Sequence, residues 1–219
     1  MRIKRSAFGE AVEGYAVPVF NEREIRASAG ILFLILFTSW MQILFRHDFT
    51  PIKYGLIVFL SDFIIRVFVN PEYSPTLVLG RYIVRRQTPE FVGAAQKSFA
   101  WKIGLVLSTI MFLHMVVANS YSFITGIICL TCLSFLFFES AFGICLGCLF
   151  YGMFHQDRAR YCPGDTCGTR IKKDIRKVSW AQTGVVVGFI IFMMLTAYLF
   201  NEYFGLKPRA LWEILQSPS

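Results

Sequence analysis

Six cysteines fall between positions 129 and 167, in three close pairs: Cys129/Cys132 in "CLTC", Cys145/Cys148 in "CLGC" and Cys162/Cys167 in "CPGDTC". At this cysteine frequency, chance gives on the order of 0.2 C-x-x-C pairs in such a chain. In a helix Cys145 and Cys148 share one face, so their sulfurs can approach. Gly143 and Gly147 flank Cys145. A break at Gly143 would leave Cys145 at a fresh helix N-terminus, where free N–H groups and the helix dipole favour a thiolate. Thiol–disulfide exchange uses two such sulfurs, one attacking and one resolving the mixed disulfide. The same glycines suit a small-x-x-x-small packing face, and cysteine itself is tolerated as a small apolar side chain.

"CPGDTC" carries a Pro-Gly-Asp turn that would bring Cys162 and Cys167 together. Cytosolic proteins rarely keep structural disulfides. That leaves free thiols, a redox partner for "CLGC", or metal ligands. The four cysteines read C-x2-C-x13-C-x4-C with His155 between, a loose arrangement for zinc or another soft metal. No cofactor is certain. "CLTC" has no titratable neighbour in sequence and reads as packing. On a straight helix, sixteen residues put Cys129 about 24 Å from Cys145, too far for sulfurs that must touch.

These residues have to be positioned by membrane helices. The chain of 219 residues is 55 % hydrophobic, with mean hydropathy +0.54 and 23 phenylalanines. Residues 29–45, 51–69, 98–118, a long run from 122 to 153, and 179–200 read as spans. Residues 76–87 read as an amphipathic surface helix with an Arg81/Arg85/Arg86 edge. The expected fold is an all-α polytopic bundle of about five transmembrane helices, four in a core and one C-terminal, with that interfacial helix beside them. Its parts are a cytoplasmic N-terminal segment (1–28), a four-span membrane domain (29–154), a basic cysteine-containing loop (155–178), a fifth span (179–200) and an interfacial tail (201–219).

Charge sets the orientation. Lys plus Arg number 5 in residues 1–28, 5 in 70–102 and 7 in 155–178, against 2 in 46–53 and 2 in the tail. The positive-inside rule then places the N-terminus in the cytoplasm and the C-terminus outside a bacterial inner membrane. It also accounts for the net charge of +8 without nucleic acid, which is not an expected partner. The 122–153 run must cross once, as one long tilted helix or a span broken near 139–143. "CLGC" then sits at or just past a water-reachable cytoplasmic interface.

Ionisable residues inside spans are functional candidates. Asp62 and Arg66 stand i, i+4 and can pair on one helix. Glu139 is expected at similar depth, allowing an Asp62–Arg66–Glu139 network. On a straight helix Glu139 faces about 120° away from Cys145, and a bend at Gly143 would change that.

Four stretches together form a pattern: "FNEREIRASAG", "DFIIRVFVNPEYSP", "PEFVGAAQKSFAWKIG" and "ESAFGICLGCLFYG". In this order they resemble the bacterial integral membrane proteins that carry the domain of unknown function numbered forty-three ninety-five, over about residues 18–154. The resemblance picks out Asn21, Arg26, Arg66, Pro71, Ser74, Pro75, Lys97, Phe99, Ala100, Gly104, Glu139, Cys145, Gly147 and Cys148. It implies four spans, with the "CPGDTC" loop and fifth span as an extension. It also implies proximity to thioredoxin-like and sulfurtransferase proteins, and "CLTC" lies outside its pattern.

The leading expectation is a membrane thiol–disulfide protein in a lipid bilayer. Cys145 and Cys148 would be catalytic, with Glu139, Arg66, Asp62, Gly143 and Gly147 in support. Cys162, Cys167 and His155 would form a second thiol pair or a metal site. A thioredoxin-like or sulfurtransferase protein would be its partner. The alternatives are a structural zinc or soft-metal protein, a transporter of a small sulfur compound or anion working as a homo-oligomer, and a scaffold whose cysteines only pack.

Overall fold

The computed structural model describes residues 9–10, 17–154 and 178–210. The fold is mostly α-helical. Short strand β1 (Val19–Asn21) leads into helix α1 (Glu22–Arg46). Asn21 caps α1: its Oδ1 accepts the Arg23 N–H at 3.2 Å, and its Nδ2 donates to Glu24 at 3.1 Å. That cap starts the helix seven residues before the apolar run begins, so α1 carries Glu22 and Glu24 in its first turn. β1 pairs antiparallel with β2 (Phe91–Gly93), which opens helix α4 (Ala94–Phe112). The two helices therefore start at the same end of the molecule, here called proximal.

α2 (Thr50–Ile64) runs back along α1 and tightens into a π-helical turn, Ile65–Val69. A 3-10 turn (Pro71–Tyr73) follows, and then α3 (Pro75–Val84). The register is fixed by contacts: Ser39 of α1 donates to the Pro51 carbonyl, Gly55 lies against Leu36, Ser28 meets Thr76, and Gly80 abuts the Glu24 backbone. α2 and α3 thus follow α1 in series, broken by the Asn70–Ser74 turn.

α3 keeps the exposed face expected of it, but Arg81 does not lie on that face. Arg81 is buried and pairs with Glu24, with Nε and Nη2 both 3.0 Å from Oε2. Only Arg85 and Arg86 remain exposed, and the outward face of α3 is Leu79, Tyr82 and Ile83. A short helix packed on α1 over Gly80 cannot keep Arg81 in water, so the guanidinium needs a buried anion.

α4 continues through a π turn, Leu113–Val117. α5 (Phe123–Phe137) begins with a capping box in which the Ser122 and Thr125 side chains each bond the other's backbone. α7 (Trp180–Gly205) returns from Glu72, which Gln182 contacts, to the distal end. There buried Lys53 donates to Asn119 Oδ1 (2.8 Å) and to the carbonyls of Phe204 (3.1 Å) and Leu206 (2.7 Å). A cation on those carbonyls satisfies groups a helix C-terminus leaves open. Beyond it, β4 (Arg209–Ala210) pairs parallel with β3 (Ser120–Tyr121).

Among the described residues, four helices are long and apolar enough to cross a bilayer: Glu22–Arg46, Ala94–Val117, Phe123–Phe142 and Trp180–Gly205. The α2 segment carries Lys53, Asp62 and Arg66, all buried. On α7 only Gln182, Thr196 and Phe204 are buried, while Ile191, Met194, Leu195 and Tyr198 are exposed. A face so apolar suits lipid and not water.

Close approach of α3 to α1 depends on Gly80. A Cβ there would stand 2.6 Å from the Glu24 carbonyl oxygen and 3.2 Å from the Ser28 nitrogen, both backbone atoms. We expect Gly80→Ala to cost about 1–3 kcal/mol. In a thermal melt of detergent-solubilised protein it should lower the midpoint by several degrees. Gly184→Ala on α7, where a Cβ meets nothing within 4 Å, should not. Equal melting of the two variants would contradict this packing.

Candidate functional site

The site begins where α5 ends. A π turn, Phe138–Phe142, closes the helix, and Gly143 follows in the left-handed region with φ 69°. That conformation favours glycine. The Ile144 N–H returns to the Phe138 carbonyl at 3.1 Å, and the chain then starts α6 (Leu146–Phe154). Of the two forms the sequence left open for the 122–153 run, the broken one is found. The chain reverses beside α1 and α4. Gly143 faces the Arg26 guanidinium, and Gly147 seats α6 on Ala100, where a Cβ would come within 2.6 Å of the Ala100 Cβ.

Cys145 immediately precedes α6 and Cys148 lies in its first turn. The Cys148 N–H donates to Cys145 Sγ at 3.3 Å and to the Cys145 carbonyl at 2.9 Å. The thiol therefore does what a Ser or Asp side chain does at a helix start. All four described cysteines, Cys129, Cys132, Cys145 and Cys148, are thiols. Cys145 and Cys148 are 3 % and 2 % exposed, so the expectation of a water-reachable pair is corrected. The turn at Gly143 tucks them between α4 and α6, where a straight helix would have carried them outward.

Lys97, on the first turn of α4, completes the site. It is fully buried and bonds Glu139 of the π turn in a close ion pair. Its ammonium is near enough to interact electrostatically with both Cys145 and Cys148. The bend has therefore brought Glu139 and the thiols to one cation. Glu22 and Arg26 at the start of α1 belong to the same electrostatic neighbourhood.

Asp62 and Arg66 form a separate unit, 2.6 Å apart and buried. Asp62 accepts from Ser74 Oγ (2.7 Å), the Thr76 N–H (3.0 Å) and Thr76 Oγ1 (2.9 Å). Arg66 donates to Ser74 and Thr76 and lies over the rings of Phe63 and Trp101, 4.9 and 5.4 Å from their centroids. Both ions are held by several hydrogen bonds besides their mutual contact, the condition under which a buried pair is tolerated. The expected three-residue network is thus two pairs. Arg66 feels the charge of Glu139, but Glu139 is bonded by Lys97.

Both pairs border one cavity of about 60 Å³. Phe59, Phe63, Trp101, Leu107, Phe135 and Leu136 supply its apolar wall, and Arg66, Glu139, Cys145 and Cys132 reach it. Cys132 and Cys145 line the same cavity because α5 ends and turns back at Gly143. Cys129 packs in the core with Leu36, Met111 and Leu133, as expected of a packing residue.

Cys162, Cys167 and His155 lie outside the described residues. Among the described residues no group of three or more His, Cys, Asp or Glu side chains is placed to hold a metal ion.

Sequence reasoning missed Lys97, Glu24 with Arg81, and Lys53 as buried charges. Lys97 was set one residue outside the third span, because the apolar run begins after it. Lys97→Met leaves the nearly buried Glu139 carboxylate without its cation, at an expected cost of up to about 3 kcal/mol. Lys97→Met with Glu139→Leu should recover most of that in a detergent melt. A single variant as stable as the double would contradict the pair's structural role.

No curated protein and no solved structure matches the chain. A family model described as "Domain of unknown function (DUF4395)" matches residues 20–156, the segment that builds α1 to α6 and the whole site. The chain belongs to that family.

Proposed function

We propose that this protein is a membrane thiol–disulfide exchange protein acting through Cys145 and Cys148. The observation that carries the reading is the N-terminal position of Cys145 on α6, with its Sγ taking the Cys148 N–H at 3.3 Å and the Lys97 ammonium within electrostatic range. Together these offer an anionic sulfur a hydrogen bond, the positive end of a helix and a countercharge.

The Cys145 thiolate attacks one sulfur of a partner disulfide, and the partner's other sulfur leaves as a thiolate. Cys148 then loses its proton and attacks Cys145 Sγ. The partner is released as a dithiol and Cys145–Cys148 becomes a disulfide, so two electrons and two protons move to the partner. Lys97 holds charge at the attacking sulfur, Glu139 holds Lys97, and the closed Asp62–Arg66 unit fixes the opposite wall. The fitting partner is a thioredoxin-like or persulfide-carrying protein.

The proximal end carries the start of α1 and the 70–102 region, two of the basic segments. That bias supports a cytoplasmic proximal end in a bacterial inner membrane. Because the thiols are buried, a protein partner needs α6 to lift from Ala100 before exchange.

Cys148→Ser removes the resolving sulfur. In membranes prepared after acid quenching, this variant should hold a partner in a disulfide adduct that reductant releases. Cys145→Ser should hold none. An adduct that survives Cys145→Ser, or the lack of any adduct in Cys148→Ser, would overturn the assignment.

A further inference from the structure

The cavity beside Cys145 has its own chemistry. It is reached by two thiols, Cys145 and Cys132, while Cys148 and Cys129 are absent from its wall. Its two charged side chains are each neutralised from behind, Arg66 by Asp62 and Glu139 by Lys97. A solute entering it meets aromatic and aliphatic side chains and no net charge. An ion would lose its hydration there with little in return. At about 60 Å³ the cavity has room for on the order of two waters, at about 30 Å³ for each, and so for a small solute only.

We infer that this cavity admits a small uncharged thiol, which reacts at Cys145. This rests on the thiol–disulfide reading and names the second substrate of the same site. With the Cys145–Cys148 disulfide formed, the entering sulfur attacks Cys145 Sγ. The bond to Cys148 breaks, Cys148 leaves as a thiolate and takes the proton, and the small thiol is left in a mixed disulfide on Cys145. A second small thiol attacks the bound one's sulfur. A small disulfide leaves and Cys145 returns to its thiol form. The protein disulfide is re-formed by the disulfide partner of the exchange reaction. Two small thiols are oxidised for each disulfide consumed.

The experiment uses the reduced full-length protein in membranes. It compares methyl methanethiosulfonate, small and neutral, with its trimethylammonium-ethyl analogue, larger and permanently charged. Adducts are assigned to each cysteine by peptide mass. The neutral reagent should modify Cys145 and Cys132 at least tenfold faster than Cys129 and Cys148, and the charged reagent should modify none of the four. Leu107→Trp, which fills the cavity from α4, should slow both neutral adducts tenfold. The ability of Cys145 and Cys148 to form their disulfide reads the exchange activity separately. Equal modification by both reagents means Cys145 opens to water, and that overturns the cavity as the route. A neutral reagent that leaves Cys145 and Cys132 untouched overturns it also. Either result can stand while the Cys145–Cys148 disulfide still forms, so failure of this inference is distinct from failure of the exchange reading.

Discussion

A buried ammonium has to be met by acceptors, and the fully buried Lys97 is met by an anion. Its anion, Glu139, lies on the last turn of α5, and the rest of the site follows from bringing the two together. To present Glu139 to α4, α5 tightens into a π turn. The turn is closed by Gly143 in a conformation that other residues adopt only with strain. The reversal sends the chain back onto α4, where Gly147 allows contact with Ala100, and it leaves Cys145 as the first sulfur of a new helix. Ion pair, helix break and thiol position are therefore one constraint seen at three scales.

The proximal half holds three buried or nearly buried ion pairs, Glu24–Arg81, Asp62–Arg66 and Lys97–Glu139. Each joins different elements: α1 to α3, α2 to its own π turn and the α3 start, and α4 to α5. In an apolar medium these pairs give little net stability against apolar replacements, but an unmatched member is costly. They act mainly on register, because each ion has one partner at the right depth. Their further consequence is a cavity wall without net charge beside Cys145. The distal half is held differently, by Lys53 on the carbonyl end of α7 and by the short β3–β4 pair.

Much of this was legible in the residues. Apolar runs place α1, α4, α5 and α7. Asp62 and Arg66 at i, i+4 announce their own pair. Glycine at 143, with cysteines two and five residues on, announces a break that starts a helix at a thiol. What stayed hidden depends on tertiary neighbours. Lys97 is a loop charge by composition and a core charge only because β1–β2 pairing starts α4 at Ala94. Arg81 sits in a basic cluster and is drawn inward by Glu24 of another helix, which the Asn21 cap orients. The burial of Cys145 and Cys148, and the nearness of Cys132 to Cys145, could not come from a straight-helix estimate. Both depend on the direction of the turn at Gly143, which local sequence does not specify.

The central claim is that Cys145 and Cys148 exchange electrons as a unit. The most direct test equilibrates membranes across a series of oxidised-to-reduced dithiothreitol ratios, quenches with acid, alkylates under denaturation and quantifies the peptide that carries both cysteines. A working pair passes from doubly alkylated to unalkylated in one step, with a two-electron slope of about 30 mV per tenfold change. A peptide that stays doubly alkylated at every ratio, or one whose two sulfurs respond independently, would contradict the account and leave Cys145 as a helix cap that only packs.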